Sequence, residues 1–597
     1  MPDFALQIDL ILQGPVLTHS TAVGASGISS PFARNSNNDH YLPGTLIKGR
    51  LRQAWMELHS AAGAAFQIDT VGLLGESSDH LNSASYDPIR GALYFDDLTN
   101  KSDHSDDVRY RIGIDAERGA VKKGFYQVLD APYQVGESVT FSGAIRFSAT
   151  DASIANNIKR DIEIGLRWIT SLGAERSVGF GRLLNVTVSA PQQATTTTKA
   201  VNATGASVLS LKLSPNAPFC LARRRVDPNL FESDSIISGA AIKGSLASSW
   251  RALLGKSPNG AIDTTTDPAR AELCRNFEKV RFTHAFPTEK GQAERPVMAP
   301  LSLVKVNKDQ LFDVALAESP ILVGKPLDAP AFAVDWKSNS EVQQLFGWAE
   351  PDRELRVRTA IDSNRRKAKD EQLFAYEKVV PQKVDWFCQI DLGAVPQSDK
   401  LKVEAQLLDL LANGLRAIGK TKVGVAVEAQ LMAIPAKHVS QNVARDGVWV
   451  ITLQTPALLC DQDVILKSGL LTAYQEALSK LSDNALELKH FFAQQSLAGG
   501  RYLWNRFQPG KDYSPWLLTN AGSVFVLTAA TGQDTKAQSF IDQWLAHSLP
   551  LPEWAANRYG NHWTTCPFLP AGGYGEIAVN LDIHWAKYPA QGERHDI

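Results

Sequence analysis

The strongest constraint on this chain is that it repeats itself. Gly44 opens GTLIKGRLRQAW and Gly239 opens GAAIKGSLASSW, so G-x-x-I-K-G-x-L-x-x-x-W recurs 195 positions later. Ile114 and Asp115 open IDAERGAVKKGFYQVLDAPYQVGESVTFSG; Ile361 and Asp362 open IDSNRRKAKDEQLFAYEKVVPQKVDWFCQI, 247 positions on. Gly165 opens GLRWITSLGAERSVGFGRL and Gly414 opens GLRAIGKTKVGVAVEAQL, 249 positions on. Three pairs in one order, the last two at nearly constant spacing, mean duplication of a structural unit.

The units begin alike. Leu6, Ile8, Leu10 and Leu12 alternate with other residues, as do Leu209, Leu211 and Leu213, and a third such run, VWVITLQTPAL, starts at Val448. Alternation predicts half-buried strands, each ended or placed at an edge by the proline that follows: Pro15, Pro215 and Pro456. The third unit lacks the G-x-x-I-K-G segment but closes with AGGYGEIAVNLDI, similar to the end of the first. Helical spacing is expected over 47–58, 242–254 and 464–492. The Thr-rich stretch 192–207 and the weaker break 438–447 read as joints. Three domains follow, 1–195, 205–437 and 446–597. Each is expected to be an α+β sandwich with helices on one face of a sheet.

Charge narrows the function classes. Lys and Arg number 61 against 63 Asp and Glu, a net charge of −2, so any polyanion site must be a local patch. Five cysteines without a C-x-x-C pair argue against a disulfide framework or a Cys-based zinc site. The first residues carry acids and no basic n-region, and no apolar run reaches the roughly 18 residues of a membrane span. A soluble cytoplasmic protein without membrane contact is expected.

Two motifs carry chemistry. In LGAERSVGFGRL, Gly173, Gly179 and Gly181 permit close backbone approach, and Arg176 and Arg182 supply fork-shaped donors for phosphate. A helix precedes and a strand follows, the reverse of a dinucleotide-binding turn; the plain alternative is a tight turn between those elements. In G-x-x-I-K-G, Lys48, with Arg50 nearby, stands at a helix start, and Lys243 holds the matching place. A Walker A loop is absent. Further basic residues lie at Arg223, Arg224 and Arg225, at Arg365 and Arg366, at Lys122 and Lys123, and at Lys420 and Lys422. Together they offer a phosphate-tracking strip, with Phe125, Tyr126, Phe374 and Tyr376 as base-stacking platforms or as core.

These residues resemble a known family. LPGTLIKGRLR, the hairpin-like IDAERGAVKKGFYQVLDAPYQVGESVTFSG and SLGAERSVGFGRL resemble the helix start, thumb and glycine-rich loop of the repeat-associated mysterious protein (RAMP) superfamily. The first unit looks like backbone RAMPs that polymerise along CRISPR RNA. Residues 205–597 resemble the type III-D RAMP subunit, through ISGAAIKGSLASSW, the stretches from Arg281 and Arg358, AGGRYLWNRF and NAGSVFVLTA. The resemblance implies tandem ferredoxin-like (RRM-like) modules that bind a guide RNA, near its five-prime handle. It also implies contact with complementary target RNA, other RAMP subunits and a large polymerase/cyclase-like subunit.

One departure bears on catalysis. Target-cleaving RAMPs carry a loop aspartate before the Pro-Gly turn; here GISSPFARNSNNDHYLPG has Ser29 and Ser30 before Pro31. A hydroxyl does not replace a metal-binding carboxylate or base. Asp39 in the same loop and Asp227 before a proline in RRRVDPNLFESDSIISG are the alternative candidates, with Asp234 beside the latter. Cleavage through either would need Mg²⁺. His19 and His40 keep open a third reading, precursor processing by general acid–base chemistry. A scaffold needs no cofactor.

Overall fold

A computed structural model describes residues 3–19, 27–63, 66–76, 89–102, 105, 107–115, 117–193, 202–227, 230–258, 260–306, 310–332, 335–338, 340–362, 367–431 and 433–597. The chain is α+β, and among the described residues three of the larger sheets share one strand order. In the first, the opening strand Asp3–Gln13 lies between the last strand, Arg182–Val188, and Ser138–Ser148, with Leu98–Asn100 beyond. In the second, Val208–Pro215 lies between Val423–Gln430 and Val384–Asp391, with Arg281–Phe282 beyond. In the third, Trp449–Leu453 lies between Ile577–Val579 and Val524–Ala529, with Leu486–Phe492 beyond. The pairs flanking each opening strand are antiparallel, and helices connect the first strand to the second and the third to the last. This is the ferredoxin-like arrangement, three times over.

The alternating residues explain the layers. Phe4, Leu6, Ile8, Leu10 and Leu12 are buried and point to one face, since side chains alternate along a strand. They pack under helices Gly44–Ala62 and Ala152–Arg167, which cross so closely that a β-carbon on Gly165 would stand 2.5 Å from Leu51 and Trp55 atoms. The repeated tryptophans are both buried but bonded differently. Trp55 donates to Asp161 O (2.9 Å) on the second helix of its own unit, and Trp250 donates to the Asp267 carboxylate (2.8 Å).

Half-burial holds along the first strand and, Ser210 apart, along the second, where Leu209, Leu211 and Leu213 are buried and Lys212 and Ser214 are not, but it fails in the third. Trp449–Leu453 is buried on both faces, because a segment that follows the edge strands of the second sheet, within 290–350, covers the outer face with Ala315 and Leu316. The predicted helix over 464–492 splits. The helix Gln462–Leu481 ends before Asp483 and Asn484, both at positive φ, and Leu486–Phe492 is a strand with Leu486 and Leu488 buried. All five cysteines are free and buried. Among the described residues, no helix is long and apolar enough to cross a membrane.

Polar clamps join the units. Asp97 accepts from Gly44 N (2.8 Å), at the start of the first helix, and pairs with Arg356 of the second unit (2.9 Å). Burial alone would raise the Asp97 carboxyl, but Arg356 and Lys378 beside it hold it below its usual range. Arg416 Nε donates to Asp3 (2.9 Å). Between the second and third units, Arg295 grips Glu576 through two bonds of 2.6 and 2.9 Å, both side chains nearly buried. Removing one partner of such a pair strands the other charge, at a cost of about 3–5 kcal/mol. Arg295→Ala is therefore expected to lower the unfolding free energy of the coupled second and third units by that amount in a denaturant titration. A change under about 1 kcal/mol would show that the pair does not hold them together.

Candidate nucleic-acid interface

The first helix of unit one faces the turn 419–423 of unit two. Lys48, in the second turn of that helix, is half-buried, and its ammonium is held down to about 8 by burial first, then by Lys422 and Arg52. Lys422, in the left-handed region at φ 55°, is lowered by burial and then by Arg90. Arg52 donates to Leu74 O and Gly75 O (3.1 and 2.8 Å), and Arg90 donates across the seam to Ser248 Oγ (3.0 Å). Among the described residues, no carboxylate or hydrogen-bond acceptor engages the ammonium of Lys48 or Lys422. Like charges gathered in a partly dry seam repel, and a bound polyanion would relieve both the repulsion and the desolvation.

Beside the seam, Lys420 is exposed and sits over the Phe231 ring (3.8 Å) and near that of Tyr376 (5.9 Å). These two rings stack at 5.6 Å, and Arg358 covers Tyr376 at 5.4 Å. Cations over aromatic faces form the surface on which an unpaired base stacks. Two predicted residues from different units, Lys48 and Lys422, thus meet at one place, with Lys420 in the same turn.

The glycine loop of unit one has a different internal logic. A β-carbon on Gly181 (φ 64°) would stand 1.9 Å from Leu172 O, and one on Gly173 (φ 96°) 2.4 Å from Leu17 O. Both glycines serve close backbone packing. Ala174 N donates to Leu17 O (2.7 Å), Gly181 N to Pro15 O (2.8 Å) and Gly179 N to Arg176 O (3.2 Å). The loop therefore presents side chains more than backbone donors: Arg176 and Arg182 are exposed, as is Gly179.

The other expected residues are scattered. Lys243 does not repeat the setting of Lys48. Its ammonium donates to Val280 O (2.7 Å) and Glu278 O (3.2 Å), lies 5.2 Å from the Phe277 ring, and is held down to about 8 by burial. Arg50 bonds Gln53 along its own helix. Arg223, Arg224 and Asp227 belong to the strand Ala222–Asp227, but their side chains lie outside the described residues, as do Arg365 and Arg366 entirely. Asp39 closes a tight loop with Asn35: its amide donates to Asn35 Oδ1 (2.8 Å) and its carboxylate accepts from Asn35 Nδ2 (3.1 Å). His40 is buried, 2.9 Å from the Tyr133 hydroxyl and against Phe32. Among the described residues no group of three or more His, Cys, Asp or Glu stands ready for a metal.

Two features went unread in the sequence. Arg52 lies four residues after Lys48, on the same helix face, a spacing that marks it out. Arg90 carried no local signal. The hairpin Val108–Ile114/Val121–Asp130 exposes Tyr110, Phe125 and Tyr126 with Lys122 over Phe125 (4.5 Å), so these rings are surface rather than core.

Residues 14–184 match the RAMP superfamily. The match falls within the first unit and ends just after the glycine loop. Two solved chains share limited similarity. One, from a cryo-EM structure of the type III-B Cmr-beta bound to cognate target RNA and AMPPnP, is 13% identical, with 53% of this chain and 86% of that one covered at a TM-score of 0.28. Another, from the type III-B Cmr-beta bound to cognate target RNA, is 20% identical, with 31% of this chain and 61% of that one covered at 0.23. Likeness at that level carries nothing about function. No curated protein matches the sequence.

The contrast between the two motif lysines is measurable. Lys243→Ala leaves two backbone carbonyls without their donor, so stability is expected to fall by about 1–3 kcal/mol in denaturant unfolding. Lys48→Ala removes a charge engaged by no described acceptor and is expected to leave stability unchanged or raised. Equal losses in both would mean that Lys48 also has a structural partner.

Proposed function

We propose that the chain is a structural subunit of a type III CRISPR effector that holds the guide RNA across its units. Assembly with other RAMP subunits and the large polymerase/cyclase-like subunit, on complementary target RNA, belongs to the same reading. The RAMP match over 14–184 supports the family of the first unit. The single observation that carries RNA binding is the seam, where Lys48, Arg52, Arg90 and Lys422 converge without a carboxylate engaging either lysine among the described residues. A phosphodiester backbone matches it in charge, and the Lys420–Phe231–Tyr376 stack beside it suits an unpaired base. The five-prime handle as the part held, by residues 205–597, rests on the resemblance of those residues to the type III-D subunit.

The scaffold reading is favoured over cleavage by the setting of Asp39, whose carboxylate and amide are both engaged by Asn35. The test is a double charge reversal, Lys48→Glu with Lys422→Glu, assayed with single-stranded guide RNA across a salt series. Affinity is expected to fall at least about tenfold, and the log–log salt slope to flatten by about 1.4, two phosphate contacts at about 0.7 each. An unchanged slope would remove the seam from RNA binding.

A further inference from the structure

The motif lysines of the first two units share one property and differ in another. Both ammoniums are held down to about 8, by burial first. Lys243 donates to Val280 O (2.7 Å) and Glu278 O (3.2 Å) and lies 5.2 Å from the Phe277 ring. Those contacts occupy its amine. Among the described residues nothing accepts from Lys48. On losing its proton, Lys48 therefore presents a free lone pair where Lys243 does not.

The Lys48 amine is also reachable. The residue is half-buried rather than sealed. Thr45, one turn before it on the same helix face, is exposed, and a β-carbon on Gly49 would meet nothing within 4 Å. The charged groups nearest Lys48 are Lys422 and Arg52, both cations. Arg90 faces Lys422 in turn, and Glu76 faces Arg52. At pH 8 about half of the Lys48 amines are neutral, against about one in 250 for an ordinary lysine. A less basic amine is a weaker nucleophile, so part of that gain is given back, and a net advantage of about fivefold to tenfold remains.

We propose that Lys48 is a modification site, acylated by small acyl phosphates that the surrounding cations draw in. The Nζ lone pair attacks the carbonyl carbon of the donor. The bond from that carbon to the phosphate oxygen breaks, and its electron pair leaves with inorganic phosphate. The nitrogen loses its proton to solvent, which leaves a neutral amide; nothing is oxidised or reduced. Lys422, Arg52 and Arg90 raise the local concentration of the anionic donor. Acylation removes a positive charge from the seam and so loosens RNA held there. That last consequence, unlike the chemistry, rests on the proposed function.

The test incubates the full chain, free of RNA, with acetyl phosphate at pH 8 and follows each lysine by peptide mass spectrometry. Lys48 is expected to be acetylated at least about fivefold faster than the exposed Lys467 and Lys489. Lys243 is expected to be no faster than those two, and Lys422→Ala to slow the reaction at Lys48. An uncharged acetyl thioester in place of acetyl phosphate is expected to shrink the preference. A Lys48 rate within about twofold of Lys467, or a Lys243 rate equal to that of Lys48, overturns the modification site. An undiminished preference with the thioester overturns the choice of donor by charge. A second arm adds single-stranded RNA before acetyl phosphate. Protection of Lys48 supports acylation as a control on RNA binding. Fast acetylation with and without RNA keeps the modification site and removes the seam from RNA binding.

Discussion

Positive charge is gathered where the first two units meet. Lys48 and Lys422 come from different units and are both half-buried; Lys422 helps burial hold the Lys48 ammonium down, and Arg90 does the same to Lys422. In a folded chain such an arrangement costs stability, because desolvation and like-charge repulsion add. Elsewhere the same chain neutralises its buried cations carefully: Arg295 has Glu576, Arg356 has Asp97, and Lys243 has two carbonyls. Against that background the unengaged pair marks a site for an anion brought from outside.

The site is a product of how duplicated units stack. The turn 419–423 of the second unit faces the first helix of the first unit, and the glycine turn at Gly572 packs on the first helix of the second, with Ala240 Cβ 3.0 Å from where a Gly572 side chain would begin. One relation thus occurs twice in one polypeptide. The two copies have diverged in chemistry. The first seam keeps its lysines open, and in the second Lys243 has turned inward. The inserted segment 290–350 then grips the third unit through Arg295 and through Asp313, which is 3.2 Å from the buried His584.

Much of this was legible. The three collinear repeats announced units of like fold, and the alternation from Leu6 to Leu12 is the buried face of the first sheet. The repeated lysine was legible as a position but not as a role, since what separates Lys48 from Lys243 is whether backbone carbonyls lie within reach, and those belong to residues 35 and 37 positions away. The glycines of the first loop were legible as a turn, but close packing against Leu17 and Leu172, rather than phosphate binding, accounts for Gly173 and Gly181. Strand burial on both faces in the third unit was hidden because its cover, Ala315 and Leu316, comes from an insertion in another unit. Arg90 was hidden for the same reason: its partner Ser248 is 158 residues away.

The central claim is that RNA phosphates neutralise the seam, and proton uptake on binding tests it most directly. The free ammonium of Lys48 titrates at about 8, below its unfolded value, so at pH 8.5 it is largely neutral. A phosphate beside it favours the charged form and must draw a proton from solution. Calorimetry of RNA binding at pH 8.5, in buffers of different ionisation enthalpy, is predicted to show net proton uptake that fades toward pH 6 and is reduced in Lys48→Met. Binding with no proton uptake at pH 8.5, or uptake unaltered by that substitution, would contradict the account.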